Sequence, residues 1–108
     1  MATTYKVLGQ SNPAATTDTT LYTVPALTQT VVSTITVANL GTTGTFRVAV
    51  RPAGAAIANQ HYVVYDATLN ANDSITLTLG LTLGATDVIT VRASNTSFAF
   101  QAFGSEIA

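Results

Sequence analysis

The sequence contains little charge and no cysteine. Its 108 residues include only 4 Lys and Arg against 5 Asp and Glu, or 8% charged residues, whereas a typical soluble domain has about a quarter. A net charge of -1 without clustered Lys and Arg excludes the basic surface that nucleic-acid binding requires. The absence of cysteine excludes a disulfide framework, a thiol nucleophile and a cysteine-ligated metal site.

The sequence also has few of the side chains that catalytic sites use. His61 is the single imidazole, so a zinc site of the usual kind is not expected. His61 and Asp66 are five residues apart on a predicted strand, which places them on opposite faces, and no Gly-x-Ser-x-Gly nucleophile motif is present. We expect no enzyme and no cofactor, with His61 making ordinary hydrogen bonds at a strand or interface.

No targeting or membrane segment is expected. Residues 1–6 lack a basic region followed by an apolar stretch, the signature of a secretory signal. No run of about 18 apolar residues is found either. The chain is therefore expected to be made in the cytoplasm of its cell and to have no membrane partner.

The residues that are abundant favour β-structure. Thr alone contributes 21 residues, and β-branched side chains suit a pleated sheet better than a helix. Alternation of apolar and polar residues predicts strands at residues 5–8, 20–24, 31–38, 45–51, 60–67, 74–83, 87–93 and 97–103. In the third of these, strict alternation places Ile35 and Val37 on one face and Val32 on the other.

Seven or eight short strands joined by Gly, Asn and Thr turns are typical of an all-β fold. We predict a single antiparallel β-sandwich domain over residues 1–108, jelly-roll-like or immunoglobulin-like. Residues 74–83 show the clearest alternation, interpreted as one strand bent at Gly80. Because such an apolar, uncharged run is hazardous at an edge, it is expected to be central or covered by a partner.

Two groups of side chains are candidate contact residues. Arg47 and Arg51 share the polar face of one predicted strand, either solvated or paired with acids of another chain. His61, Tyr62, Tyr65 and Asp66 follow closely along the next strand. Tyr62 and Tyr65 are expected on opposite faces. One would be a core residue and the other would lie at the sheet edge or an interface, or one of them would bind sugar with Asp66 and Asn59.

Several segments resemble small virion proteins of tailed bacteriophages, including structural proteins of cyanophages and prophages. The resemblance covers residues 9–107 and is carried by TLYTVPA at 20–26, VRPAGA at 50–55, NQHY at 59–62, TDVITV at 86–91 and FGSEI at 103–107. It implies a capsid cement or decoration protein, or a small tail or fibre module. No functional residue is carried over, because these segments contain no catalytic motif.

The residues and the resemblance lead to the same expectation about function. Charge-poor surfaces suit permanent contact with other protein. We expect a non-enzymatic virion protein that forms a homo-oligomer, as a trimer, and stabilises the shell by bridging neighbouring copies of the major capsid protein. A carbohydrate-binding or host-recognition module of a tail or fibre is the alternative.

Overall fold

A computed structural model describes residues 2–108, which are organised almost entirely as β-strands. The strands of this part of the chain are β1 (Thr3–Ser11), β2 (Thr19–Thr23), β3 (Gln29–Asn39), β4 (Gly44–Arg51), β5 (Tyr62–Leu69), β6 (Ser74–Leu77), β7 (Leu81–Leu83), β8 (Val88–Ala93) and β9 (Phe98–Ile107). Two single-turn 3₁₀ helices, Pro52–Gly54 and Asn59–His61, lie in the β4–β5 connection. None of the helices described is long and apolar enough to cross a bilayer.

The strands form two antiparallel sheets. In sheet A the order is β1-β9-β3-β6, with β7 also pairing with β3, and in sheet B it is β2-β8-β4-β5. The pairing is nested along the chain: β1 pairs with β9, β2 with β8, β3 with β6 and β7, and β4 with β5. The all-β class and the antiparallel pairing confirm the coarse prediction.

Both sheets contribute to one hydrophobic core. Phe46 of sheet B lies with its ring centroid 6.1 Å from those of both Phe98 and Phe100 of sheet A. Ile35 and Val91, from the central strands of the two sheets, are also buried. Alternation thus directs one face of each sheet inwards and leaves the other as an outer face.

The predicted strand at residues 74–83 is divided into two. Gly80 adopts a φ of 63°, a left-handed conformation that glycine adopts without steric cost, and pairing with β3 is interrupted between β6 and β7. This raises the strand count to nine, against the seven or eight expected. Of the two expected placements, the central one is wrong, because β6 and β7 form an edge of sheet A. Ile75 in β6 and Leu79 between the two strands are exposed, and coverage by a partner stays a prediction.

A bulge corrects the predicted faces of β3. The register between β3 and β9 shifts between Val32 and Thr34, so one extra residue is accommodated at this point. Val32 and Ile35 are consequently both buried, although strict alternation predicts opposite faces for them. The extra residue at Ser33 lets the apolar residues on both sides of the bulge point towards the core.

A chain of polar contacts joins β2 to the neighbouring strands of sheet A. The buried Tyr22 hydroxyl lies 2.8 Å from Thr30 Oγ1 and donates to Glu106 Oε2 at 2.5 Å, while Lys6 Nζ donates to Glu106 Oε1 at 3.2 Å. Burial, followed by the bond to the Glu106 carboxylate, raises the pKa of Tyr22 to about 12. The Tyr22 hydroxyl and then the Lys6 ammonium hold the pKa of Glu106 below its usual value.

At the other end of β3, a buried amide fastens the adjoining turns. Asn39 donates through Nδ2 to the carbonyls of Thr42 at 2.8 Å and Leu69 at 3.0 Å. Its Oδ1 accepts from the Gly41 N–H at 3.1 Å and the Ser97 hydroxyl at 2.7 Å. The amide thereby uses both donors and both acceptor positions, which is how a polar side chain is accommodated in the core.

Candidate functional site

An ion pair between β4 and β5 organises the outer face of sheet B. Arg47 donates from Nε to Asp66 Oδ1 at 2.6 Å and from Nη2 to Asp66 Oδ2 at 3.2 Å. The bidentate geometry matches the planar guanidinium to the carboxylate. Hydrogen bonding from Arg47 lowers the pKa of Asp66, and the same pairing raises the pKa of Arg47.

Irregularities in β5 bring two tyrosines to this ion pair. The register of β5 against β4 shifts on both sides of Val64, and Asp66 has a φ of 51°, as a bulged residue can. The Tyr62 and Tyr65 rings therefore meet edge to face, with centroids 4.8 Å apart. The prediction that these tyrosines lie on opposite faces is wrong because it assumed uninterrupted alternation.

The guanidinium of Arg47 covers one ring of the tyrosine pair. Its central carbon lies 4.2 Å from the Tyr65 ring centroid and 5.9 Å from that of Tyr62, distances at which a cation is attracted to an aromatic face. We call Arg47, Tyr62, Tyr65 and Asp66 the Arg–Tyr cluster. Tyr65 is nevertheless 58% exposed, so much of its ring is open to a ligand.

Asn59 completes the border of an open depression beside the cluster. Together with Tyr62 and Tyr65 it lines a space of about 480 Å³. The combination of aromatic surface, a side-chain amide and a nearby carboxylate can contact the apolar faces and hydroxyls of a sugar. Of the residues predicted from the sequence, Asn59, Tyr62 and Tyr65 thus border one depression, whereas Asp66 is held by Arg47 and does not line it.

A second ion pair extends the charged part of this face. Arg92 is the cross-strand partner of Arg47, an arrangement that is repulsive on its own. Asp18 lies 3.6 Å from Arg92 Nη1, while Asp66 balances Arg47. Sequence reasoning missed the partnership of Asp18 with Arg92, and no local pattern could reveal it, because residues 74 positions apart meet only through the β2–β8 pairing.

The remaining predicted contact residues, Arg51 and His61, do not belong to the Arg–Tyr cluster. Arg51 lies on the same face of β4 as Arg47, as expected, because β4 runs in unbroken register with β8, but its buried Nε has no hydrogen-bond partner among residues 2–108. His61 belongs to a 3₁₀ helix instead of the predicted strand, and its Nδ1 accepts the Ala58 N–H at 3.1 Å. Within the same range, no three His, Cys, Asp or Glu side chains are grouped as metal ligands.

The outer face of sheet A has the opposite character. The register places uncharged side chains in consecutive rows across the strands, and we call these rows the uncharged face. Its rows are Tyr5, Ser105, Val31 and Thr82, then Val7, Phe103 and Thr34, then Gln10, Gln101, Thr36 and Thr76, and finally Ala99, Ala38 and Ser74.

The uncharged face combines a protrusion with a recess. Tyr5 is 84% exposed and, together with Val31, Ser33 and Phe103, lines an open recess of about 500 Å³. Lys6 also lines this recess, with its ammonium held by Glu106. Apolar and hydroxyl-bearing surface of this kind can be buried without desolvating an ion.

Comparison with known proteins gives no match to a family model, to a curated protein or to a solved structure. The two surfaces are therefore interpreted from their geometry and chemistry. The Arg–Tyr cluster offers a small, partly aromatic depression, and the uncharged face offers a broad area without ionic groups.

Proposed function

We propose that this chain is a non-enzymatic structural protein of a bacteriophage virion, most specifically a capsid cement protein that bridges neighbouring capsid subunits. The observation that carries the proposal is the uncharged face of sheet A. Three of the protein's basic residues, Arg47, Arg51 and Arg92, lie on strands of sheet B, whereas the rows of the uncharged face contain no ionic side chain.

The size of the uncharged face supports a role in protein contact. Three strands of about ten residues, with the short β6 and β7 sharing the fourth position, are spaced about 4.8 Å apart with a rise near 3.3 Å per residue and give a face of roughly 600 Å². Stable interfaces bury about 1,200–2,000 Å² in total, or about 600–1,000 Å² on each partner. Depletion of charge is also what distinguishes the centre of such interfaces from ordinary surface.

The strand order also supports a finer description of the fold. We propose that the two sheets form a jelly-roll β-sandwich, in which β6 and β7 are halves of one strand and the nested pairing is that of a long hairpin rolled upon itself. Jelly rolls occur in viral capsid domains and in lectins. Because a fold does not determine function, this topology favours neither of the two proposed roles over the other.

The composition of purified particles tests the proposal. Cells that encode the chain are induced to release phage, and the particles are analysed by quantitative mass spectrometry. We expect the chain at a fixed ratio to the major capsid protein, and we expect particles that lack it to disassemble at a lower temperature. Absence of the chain from particles, with normal particle stability after its deletion, would refute the virion role.

A carbohydrate-binding module of a tail or fibre is the second candidate, favoured by the depression between Asn59, Tyr62 and Tyr65. Stacking of a sugar on the exposed part of Tyr65 would use its apolar ring, and the Asn59 amide would select hydroxyls.

A glycan array tests this second candidate. Binding that is lost in Tyr65→Ala and kept in Tyr5→Ala would support it, since Tyr5 is also exposed but lies on the opposite sheet. An array without binding by the unaltered chain would refute it.

A further inference from the structure

We infer that a second copy of this chain occupies the uncharged face of sheet A, so that two copies pack face to face about a two-fold axis. The inference rests on the proposed function in taking this face as a protein-contact surface. It adds the identity of the partner and proposes a two-fold pair in place of the trimer expected from the sequence. Three properties of the face point to a second copy: its charge, its shape and its area.

The lack of ionic side chains on the face suits contact with an identical face. In a two-fold pair the same surface is contributed by both partners, so any ionic side chain near the centre would meet its own like charge or lose water without compensation. The central row, Val7, Phe103 and Thr34, contains none. Lys6, which also lines the recess, is already paired with Glu106 at 3.2 Å, so the contact would bury a paired ammonium and no unpaired charge.

The shape of the face provides both parts of a reciprocal contact. Tyr5 protrudes with 84% of its surface exposed, and it forms one wall of a recess of about 500 Å³ that Val31 and Phe103 also line. A two-fold axis between protrusion and recess would insert the Tyr5 ring of each copy into the recess of the other. Tyrosine is enriched among the residues that dominate binding energy because it combines a large apolar ring with a polar tip.

The area meets the requirement of a stable pair. A face of roughly 600 Å² on each copy gives a total near the lower bound of about 1,200 Å² for specific interfaces. Because weak associations lie at this end of the size range, we expect an affinity in the micromolar range, set by a few anchoring side chains such as Tyr5 more than by area. A pair also presents every other surface twice, as a bridge between two capsid subunits requires.

Analytical ultracentrifugation of the purified chain tests the inference over about 1–100 µM, the range in which such an affinity is resolved. We expect the mass to rise from the 11.1 kDa of one chain to twice that value. Val31→Arg places a cation on the contact in both copies and should raise the dissociation constant by at least about tenfold. Val63→Arg is the matched control, because Val63 is 43% exposed and Val31 is 36% exposed, on opposite sheets.

A second variant removes contact area without adding charge. Tyr5→Ala should weaken the pair, whereas Tyr65→Ala should leave it unchanged. Both tyrosines are exposed, so the substitutions are compatible with folding, which circular dichroism verifies.

Four outcomes overturn the inference: a monomer at every concentration, a trimer, a dimer that Val31→Arg leaves intact, or recruitment of a monomer by the capsid protein through this face. A monomer that is still found at fixed ratio in particles would refute the pairing and leave the virion role standing. A dimer that is absent from particles would support the pairing and refute the virion role.

Discussion

The hydroxyl of Tyr22 couples the stability of the fold to alkaline pH. Its pKa is raised from 10.0 to about 12, because burial disfavours the phenolate and because the Glu106 carboxylate accepts its proton in a hydrogen bond. The unfolded chain therefore releases this proton at lower pH than the folded chain. The stabilisation is fully present below pH 10 and is lost as the pH rises towards 12.

The size of the effect follows from the shift. Two pKa units at about 1.36 kcal/mol each correspond to about 2.7 kcal/mol in all, of which about 2 kcal/mol is lost by pH 12. At neutral pH the hydroxyl should stabilise the fold by about 1–2 kcal/mol, since it bonds to a charged acceptor and to the Thr30 hydroxyl. The advantage of Tyr22 over phenylalanine should therefore disappear between pH 10 and 12.

Urea unfolding of the unaltered chain and of Tyr22→Phe, at about pH 9 and about pH 12, measures this change. Tyr65→Phe serves as the control, because Tyr65 is largely exposed. We expect the difference in free energy of unfolding between the unaltered chain and Tyr22→Phe to fall by about 2 kcal/mol between the two pH values. A difference that stays constant would refute the raised pKa of Tyr22, and with it the burial of its hydroxyl beside the Glu106 carboxylate.

The other predictions concern single side chains and their backbone surroundings. Asn39→Ala removes four hydrogen bonds from a buried site and should lower the free energy of unfolding by about 3–5 kcal/mol in urea titrations; a loss below about 1 kcal/mol would contradict that network. Gly9→Ala should destabilise more than Gly80→Ala in thermal unfolding, because a Cβ at Gly9 would lie 2.1 Å from a backbone carbonyl oxygen whereas nothing lies within 4 Å of one at Gly80. Since the pKa of Glu106 is lowered from 4.5, its stabilisation is present above that value and lost as the pH falls through the lower folded pKa. Glu106→Gln should therefore reduce the loss of stability on acidification from pH 7 to pH 3, and an unchanged acid dependence would count against its contacts.

Much of the fold is readable from alternation, but the bulges are not. Each predicted strand corresponds to an observed one, apart from the division at Gly80, because period-2 burial depends on residues close in sequence. A bulge places one extra residue on one strand of a pair, and nothing in the amino-acid composition marks where it occurs. Strict alternation therefore predicts the wrong faces for residues beyond the bulges in the strands that contain Val32 and Tyr62. The edge position of β6 could not be predicted either, since strand order depends on contacts distant in sequence.

The same reasoning explains what was predictable about the candidate site. Tyr62, Tyr65 and Asp66 are close in sequence and were recognised as a group, although their meeting on one side of β5 depends on the bulges. The pairing of Asp66 with Arg47 was outside the reach of sequence reasoning, because it requires the β4–β5 register. The uncharged face could not be located from the sequence, because its rows depend on the registers of β1, β3 and β9 together. The scarcity of charged residues was the one sequence feature that pointed to it.

Oxidative footprinting of the assembled particle tests the central claim most directly. In the dilute chain Tyr5 and Tyr65 are both exposed, and both should be labelled by hydroxyl radicals. In the particle we expect Tyr5 to be strongly protected, because the uncharged face is buried against protein, while Tyr65 remains labelled. Equal labelling of Tyr5 in the dilute chain and in the particle would contradict the claim that this face is a contact surface.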